Sequence, residues 1–366
     1  MSREDGQPVR LLAFTGATQW GGAEIMLANL LAALGPGVEP TLLGVDAEVV
    51  GRIVDRCPGL PFSLAPRISS KRDLSAIWAQ RRAMSKAAPD VVQINLPVPF
   101  SEPYTVLAAL TLPHARVVTV EHLPMPIPWP GVRRLKALAA PRLAAQVAVG
   151  SAAAREIEQL SGLAPGRMRV VWNGVPPPAA PVVPVRRRGP FVIGAVGRLH
   201  QQKGFDVLLR AVAQLPDVRV MLVGDGPERE ALEHLAALLG IGDRMQITGW
   251  SEAVSEQLRT FDVLAMPSRF EGLPLVLLEA MLSGLAVVAT AVGSIPDAVH
   301  DGETGLLVPV DDPDALAEAL RRLQQDRTLG ANLAAAALRL AQQRFTVSAM
   351  AEAYLSLYDE VLRQGR

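Results

Sequence analysis

Residues 261–290 read "FDVLAMPSRFEGLPLVLLEAMLSGLAVVAT". "FDVLAMPS" is short and apolar enough for a buried strand. Pro274 suits the first turn of a helix, and "LVLLEAML" behind it is apolar on nearly every side. "AVVAT" then reads as a second buried strand. Strand, helix, strand in this order is the unit of a parallel sheet covered by helices. Two acids break the apolar pattern: Glu271 in the turn and Glu279 among leucines. An unpaired buried carboxylate costs roughly several kcal/mol, so each needs a partner. A ligand is one answer. N–H groups at 271–273, just before the helix, suit a phosphate or a sugar hydroxyl. A ribose diol suits Glu279, as it does the acid of dinucleotide folds. A capping acid plus a helix acid paired with Arg269 is the bland answer.

The same rhythm runs outward in both directions. "VRLLAFTG", "VEPTLLGV", "DVVQINLP" and "ARVVTVEH" read as strands, and "GGAEIMLANLLAALG" as a helix. "QVAVGSAAAREIEQL" reads as strand, Ser151 cap and helix. Residues 174–190, "GVPPPAAPVVPVRRRGP", are too rich in proline for either element. The rhythm restarts at "FVIGAVGRL" and continues through "VRVMLVGDG", "MQITGW" and "GLLVPV". The sequence therefore predicts an α/β chain of two doubly wound parallel-sheet domains: residues 1–178, a linker at 179–190, and residues 191–346. The last helix, 347–366, is free to pack back on the first domain. Facing strand ends would make a central cleft, the usual ligand place in such sheets.

Composition agrees with two sizeable cores: 366 residues, 49% hydrophobic, with few aromatics. Cys57 stands alone, so no internal disulfide or cysteine zinc cluster forms. The start is polar and no run of about 18 apolar residues follows, so a cytosolic chain without a membrane span is expected. The net charge is zero, which argues against a nucleic-acid protein. It is unevenly spread, however. Residues 1–190 hold 21 Lys and Arg against 13 Asp and Glu, and the remainder reverses the sign. The basic half suits an anionic partner such as a membrane surface.

Other constellations lie at strand ends. "FTGATQWGGAE" opens the first helix, where Gly21 and Gly22 let backbone N–H groups approach an anion; a plain tight turn is the alternative. It is not G-x-G-x-x-G, so no nicotinamide site is indicated. "GAVGRLHQQKGFD" places Arg198 and Lys203 around a strand–helix loop, which suits a diphosphate or simply a solvated loop. "VGDGPERE" is a sharp turn at a strand end. His122 follows the strand "RVVTV"; a structural role is its ordinary alternative. "DPD" at 312–314 precedes "ALAEALRRL" and reads as a helix cap rather than a metal motif. No nucleophile elbow, P-loop or H-E-x-x-H occurs.

Together, "GGAE", "EH" at 121–122, "NGV" at 173–175, "GRLHQQKG", "GDGP", "EGLPLVLLEAM" and "GSIPDAVHDGETGLLVPVDD" resemble the retaining glycosyltransferases of family 4. The resemblance implies the GT-B fold, two Rossmann-like halves facing a cleft. It implies sugar transfer from a nucleoside diphosphate with retention, giving an α-linkage, without a metal or other cofactor. It assigns Arg198 and Lys203 to the diphosphate and Glu271, with the N–H groups of Gly272 and Leu273, to the donor sugar. Glu279 takes the ribose and His122 the reacting face of the sugar. Gly21 and Gly22 either contact the diphosphate or leave room for the transferred sugar. UDP is the donor nucleotide expected on family grounds, with GDP behind it. His122 departs from the family pattern by lacking a following acid, and Asp297 stands where a Glu is common.

The acceptor is a glycan or a lipid-linked sugar on the same grounds, as in bacterial cell-envelope polysaccharide or glycolipid synthesis. "RISSKRDLSAIWAQRRAMSK" carries six cations and Trp78, and "GVRRLKALAAPR" adds four more. Either suits peripheral contact with the inner membrane face, or is a solvated basic face. In the loop "LPMPIPWPG", Trp129 either stacks on an acceptor sugar or marks a rigid surface loop. A GT-B nucleotide-sugar epimerase and a non-catalytic nucleotide-sugar binder are the rival readings.

Overall fold

The computed structural model describes residues 7–127, 129–178, 189–251 and 253–364. Residues 179–188 of the expected linker lie outside the described residues. The chain divides into two compact units. One comprises the described residues of Met1–Gly174 and Val347–Arg366, the other those of Val175–Thr346.

The first unit holds seven strands: β1 (Val9–Thr15), β2 (Val38–Gly44), β3 (Phe62–Leu64), β4 (Val91–Leu96), β5 (Arg116–Glu121), β6 (Ala145–Ala148) and β7 (Arg169–Val170). Their order is β3-β2-β1-β4-β5-β6-β7, and every pairing is parallel. The central strands are buried on both faces, which is why they read as apolar runs. Under one face, Leu12, Phe14, Ile94 and Leu96 pack with Phe100, Val106 and Ala139. The helix Val347–Arg363 belongs to this unit. Its stripe Met350, Tyr354, Leu357, Tyr358 and Val361 is buried, at helical spacing. The Tyr358 hydroxyl donates to Gln93 Oε1 on β4 at 2.5 Å.

The second unit holds β8 (Phe191–Val196), β9 (Val218–Val223), β10 (Met245–Gly249), β11 (Val263–Met266), β12 (Ala286–Thr290) and β13 (Leu306–Val308). Their order is β10-β9-β8-β11-β12-β13, again all parallel. In each sheet the strand order reverses beside the first strand, between β1 and β4 and between β8 and β11. That crevice at the carboxyl ends is where doubly wound sheets take ligands.

Local details correct two expectations. Ser151 opens its helix, and Gly150, in extended backbone, occupies the cap position. Pro274 caps the helix Leu275–Leu282 from outside rather than sitting in its first turn. Asp312 does cap the helix Pro313–Gln325, accepting from the Ala315 N–H at 2.9 Å.

Candidate active site

In the second unit the loops after β8 and β11 meet. Lys203 Nζ donates to Glu271 Oε1 at 2.6 Å, and the Ser268 hydroxyl donates to the same oxygen at 2.8 Å. The Glu271 side chain is 5% exposed and that of Lys203 19%. Both donors meet the same carboxylate oxygen, and Oε2 takes part in neither bond.

Two glycines bring these groups together. Gly204, at φ +62°, has no room for a Cβ, which would lie 2.0 Å from the Pro267 carbonyl oxygen. This close approach sets Lys203 beside the loop after β11. Gly293, at φ +51°, lies equally tight behind the turn; its Cβ would meet the Glu271 carbonyl oxygen at 1.9 Å. The Ser294 N–H donates to the Gly272 carbonyl at 2.9 Å, and the Thr290 hydroxyl to the Ser268 carbonyl at 2.5 Å. Both bonds fix the backbone that carries Glu271, Gly272 and Leu273.

Arg269 acts as a latch outside this turn. It grips Asp206 with two nitrogens, at 2.8 and 3.0 Å, and Asp311 at 2.7 Å. Its backbone N–H also donates to the Gln202 carbonyl at 2.8 Å. Arg269 is thereby committed to acids other than Glu279. Glu279 sits half-buried on the helix Leu275–Leu282, and Arg198 is exposed on the loop after β8. The "GDGP" turn packs on that loop: the Leu199 N–H donates to the Asp225 carbonyl and the Glu228 N–H to the Leu199 carbonyl.

The first unit presents a different chemistry at its strand ends. Gly21 precedes the helix Gly22–Ala33, and a Cβ on Gly22 would meet nothing within 4 Å. Glu24, in the first turn of that helix, curls back and accepts from its own N–H and from that of Gly21. Burial pushes its carboxyl up to about 7, with those bonds opposing, and its Oε1 has no hydrogen bond. The helix N-terminus therefore already holds an acid of its own chain.

His122 is 8% exposed, and its Nε2 has no hydrogen bond. Burial pushes its pKa down to about 4, so the ring is neutral at physiological pH. Beside it Glu121 and Lys136 form a fully buried ion pair at 2.6 Å. Burial raises the carboxyl and lowers the ammonium, while their mutual attraction opposes both shifts. Lys136 is thus removed from the cations expected to form a basic face. Glu102 is a further acid pushed up to about 7 by burial, with Arg67 and Thr105 opposing. It stands where a Cβ on Gly16 would lie.

The structure thus joins Lys203, Glu271, Gly272 and Leu273 in the second unit, with Arg198 on the loop after β8 and Glu279 on the helix Leu275–Leu282 that follows the turn. Gly21, Gly22 and His122 lie at strand ends of the first unit. Sequence reasoning missed Glu24, Ser268 and Lys136. Glu24 carried a usable signal, an acid inside the apolar run "GGAEIMLANLL", the same signal that marked Glu279. Among the described residues no cluster of three or more His, Cys, Asp or Glu could hold a metal ion.

Comparison with known proteins agrees with this layout. A family model described as Glycosyltransferase Family 4 matches residues 20–178, and one described as Glycosyl transferases group 1 matches residues 190–326. The chain is 31% identical to the lipopolysaccharide core biosynthesis glycosyltransferase LpsD of Rhizobium meliloti, over 93% of this chain and 95% of that protein. Its match to LpsE of the same organism is 36% identical, over 45% of this chain, and spans about half of that protein, 49%. Anabaena HepE, solved in complex with UDP, shares the fold at a TM-score of 0.83 and 20% identity, covering 96% of this chain and all of that one.

Proposed function

Since the chain belongs to glycosyltransferase family 4 and has the GT-B fold, we propose that it transfers a hexose-type sugar from a nucleoside-diphosphate donor to a glycan or lipid-linked acceptor. The observation that carries this reading is the Lys203–Glu271–Ser268 cluster at the β8/β11 crevice. In the reaction, the bond from the sugar's anomeric carbon to the diphosphate breaks, and a bond to the acceptor oxygen forms on the same face. The configuration is retained, so a donor sugar α-linked to the diphosphate gives an α-linked product. A donor phosphate oxygen takes the acceptor proton, so no protein nucleophile is needed.

Each residue then has a task. Arg198 and Lys203 offset the negative charge that builds on the departing diphosphate, work done by fixed cations without a metal. Glu271 and the N–H groups of Gly272 and Leu273 hold the donor sugar, and Glu279 holds the ribose. Lys203 touches both tasks, since its bond to Glu271 orients the carboxylate next to the leaving group. His122, neutral, offers the sugar a hydrogen bond rather than a charge. Of the two roles open to Gly21 and Gly22, room for the transferred sugar has the better support, because Glu24 already occupies the helix N-terminus. UDP is the favoured nucleotide, in line with the UDP bound to HepE. A cell-envelope glycan is the favoured product, in line with the names of LpsD and LpsE.

The test is a thermal-shift panel of UDP, GDP and their common sugars, followed by turnover of the best donor. A ligand at 100 times its dissociation constant adds about 2.7 kcal/mol. Stabilisation by one nucleotide series and release of its nucleoside diphosphate with an added acceptor support the reading. No shift with any member sinks it. Conversion of the donor sugar with no acceptor present points instead to an epimerase.

A further inference from the structure

Beside the crevice of the first sheet stands an acid that has none of the tasks above. β1 ends at Thr15 and β4 at Leu96, and the strand order reverses between them. The chain leaving β4 turns sharply before the helix Pro103–Ala109. In that turn the Ser101 N–H donates to the Val98 carbonyl at 3.2 Å, and Phe100 takes φ +56°. A bulky residue rarely adopts that conformation. Phe100 is 1% exposed and packs with Leu12, Phe14, Ile94 and Leu96, so the core holds the turn in place. Strain of this kind collects where a side chain must be aimed. The side chain that follows the turn is Glu102.

Glu102 holds the cap position of the helix Pro103–Ala109, yet its side chain makes no cap hydrogen bond. The carboxyl instead lies over the first residue past β1. A Cβ on Gly16 would come within 2.6 Å of Glu102 Cδ, so the carboxyl fills the space a side chain there would need. Donors around it are few. Gly16 offers backbone alone. Thr105 is a hydrogen-bonding neighbour, but its hydroxyl also donates to Gln80 Oε1 at 2.8 Å, and a hydroxyl has one proton to give. Arg67, exposed on the chain after β3, is the charged group that acts on the carboxyl. Burial outweighs both and pushes the acid up to about 7. A half-buried carboxylate with so few donors gains most from one that a ligand brings. The loop of His122 adjoins this turn: the His122 N–H donates to the Leu96 carbonyl and the Leu123 N–H to the Pro97 carbonyl, both at 3.1 Å.

We propose that Glu102 binds a hydroxyl of the acceptor sugar. The inference rests on the transferase reading and adds to it a residue that selects the acceptor. The ionised carboxylate accepts a hydrogen bond from the hydroxyl, and Arg67 favours that ionised form. No bond forms or breaks at Glu102, and the proton of the attacking hydroxyl still goes to the donor phosphate. A neutral polyol is the ligand class that fits. An acceptor bearing phosphate or carboxylate at this point would meet like charge. Gly16 then has a reason to lack a side chain: it leaves the place from which the carboxyl reaches the crevice.

The test follows nucleotide release from the best donor, with methyl and octyl glycosides of glucose, galactose and mannose as acceptors. Glu102→Gln keeps the shape of the side chain and should raise KM for the best acceptor about 10–100-fold. In the wild type, kcat/KM for that acceptor should rise as pH passes through about 7, where Glu102 ionises, and Glu102→Gln should lack this step. A merely structural carboxyl would not carry it. Gly16→Ala puts a methyl group where the carboxyl lies and should raise the same KM about tenfold or more. In the double variant the two effects should not add, because the first change has already displaced what the second removes. All three variants should keep the thermal stabilisation that the nucleoside diphosphate gives the wild type. An unchanged acceptor KM or a surviving pH step in Glu102→Gln, or additive effects in the double variant, overturns the proposal and leaves the donor reading standing. So does a wild type that the nucleotide stabilises but whose nucleotide release no glycoside speeds. If no nucleotide stabilises the wild type, the transferase reading itself falls, and this inference with it.

Discussion

At the carboxyl ends of its strands, the second unit pairs its charges, whereas the first buries polar atoms that no neighbour satisfies. Glu271 has Lys203 and Ser268, and Arg269 has Asp206 and Asp311. In the first unit Glu24 Oε1, Glu121 Oε1 and His122 Nε2 are buried without a hydrogen bond, as are Thr119 Oγ1 and the Gln146 amide within β5 and β6 rather than at their ends. Among the described residues, every buried side-chain polar atom of this kind belongs to the first unit. Each costs about 1–3 kcal/mol. The acids that burial pushes up, Glu24, Glu102, Glu121 and Glu156, also lie in the first unit. The contrast suits a division of labour. One sheet end is a preset electrostatic template, and the other is a set of hydrogen-bonding groups held in reserve at a cost in stability.

Three substitutions break or sharpen this contrast, in descending order of effect. Lys136→Met strands the buried Glu121 carboxylate and should cost roughly 3–5 kcal/mol in denaturant unfolding. Replacing both partners, Glu121→Leu/Lys136→Met, should recover most of that loss. If the single change is as mild as the double, the first unit is not carrying buried charge. Next, Lys203→Ala removes the cation of the preset template; turnover of the best donor should fall about 10²–10³-fold, and the melting temperature should fall too, because the buried Glu271 keeps only Ser268. A fall of less than about tenfold would mean the pair serves structure alone.

Glu24→Gln probes the cost on the other side. The Glu24 carboxyl has a folded pKa raised from 4.5 to about 7. The folded chain therefore keeps a proton that the unfolded chain loses as pH rises from 4.5 to 7, and stability falls through that window. Glutamine does not titrate and still accepts from the backbone. The variant should be flatter across that range and more stable above it, by up to about 3 kcal/mol. Melts across pH decide this: an unchanged slope means that another group carries it.

Much of this was legible because it is local. Apolar runs of strand length between helical stretches gave both sheets. The spacing of Glu271 from Pro274 placed the acid at a helix start. Charge pairing was not legible, because it depends on which side of an element faces in. Lys136 sits among Arg133, Arg134 and Arg142, and by composition it belongs with them. Only the inward side of the helix Pro130–Ala139, which carries Lys136 and Ala139, takes that one cation to Glu121. Trp78 failed in the opposite sense: its apolar character predicts burial, and the buried anchor is Gln80. The final helix could be recognised but not assigned to a unit, since an amphipathic stripe names a face and no partner.

That helix has a consequence for the order of synthesis. Gln93 lies on the fourth strand of the chain, yet the hydroxyl that satisfies its carbonyl comes from Tyr358. The whole of Val175–Thr346 is translated between the two parts of the first unit. At about 5–20 residues per second, the gap is roughly ten to thirty seconds. The unit begun first is therefore completed last, and during that interval the groove for Tyr354 and Tyr358 is open to other chains. A nascent polypeptide of this design depends on its latest residues to close its earliest core.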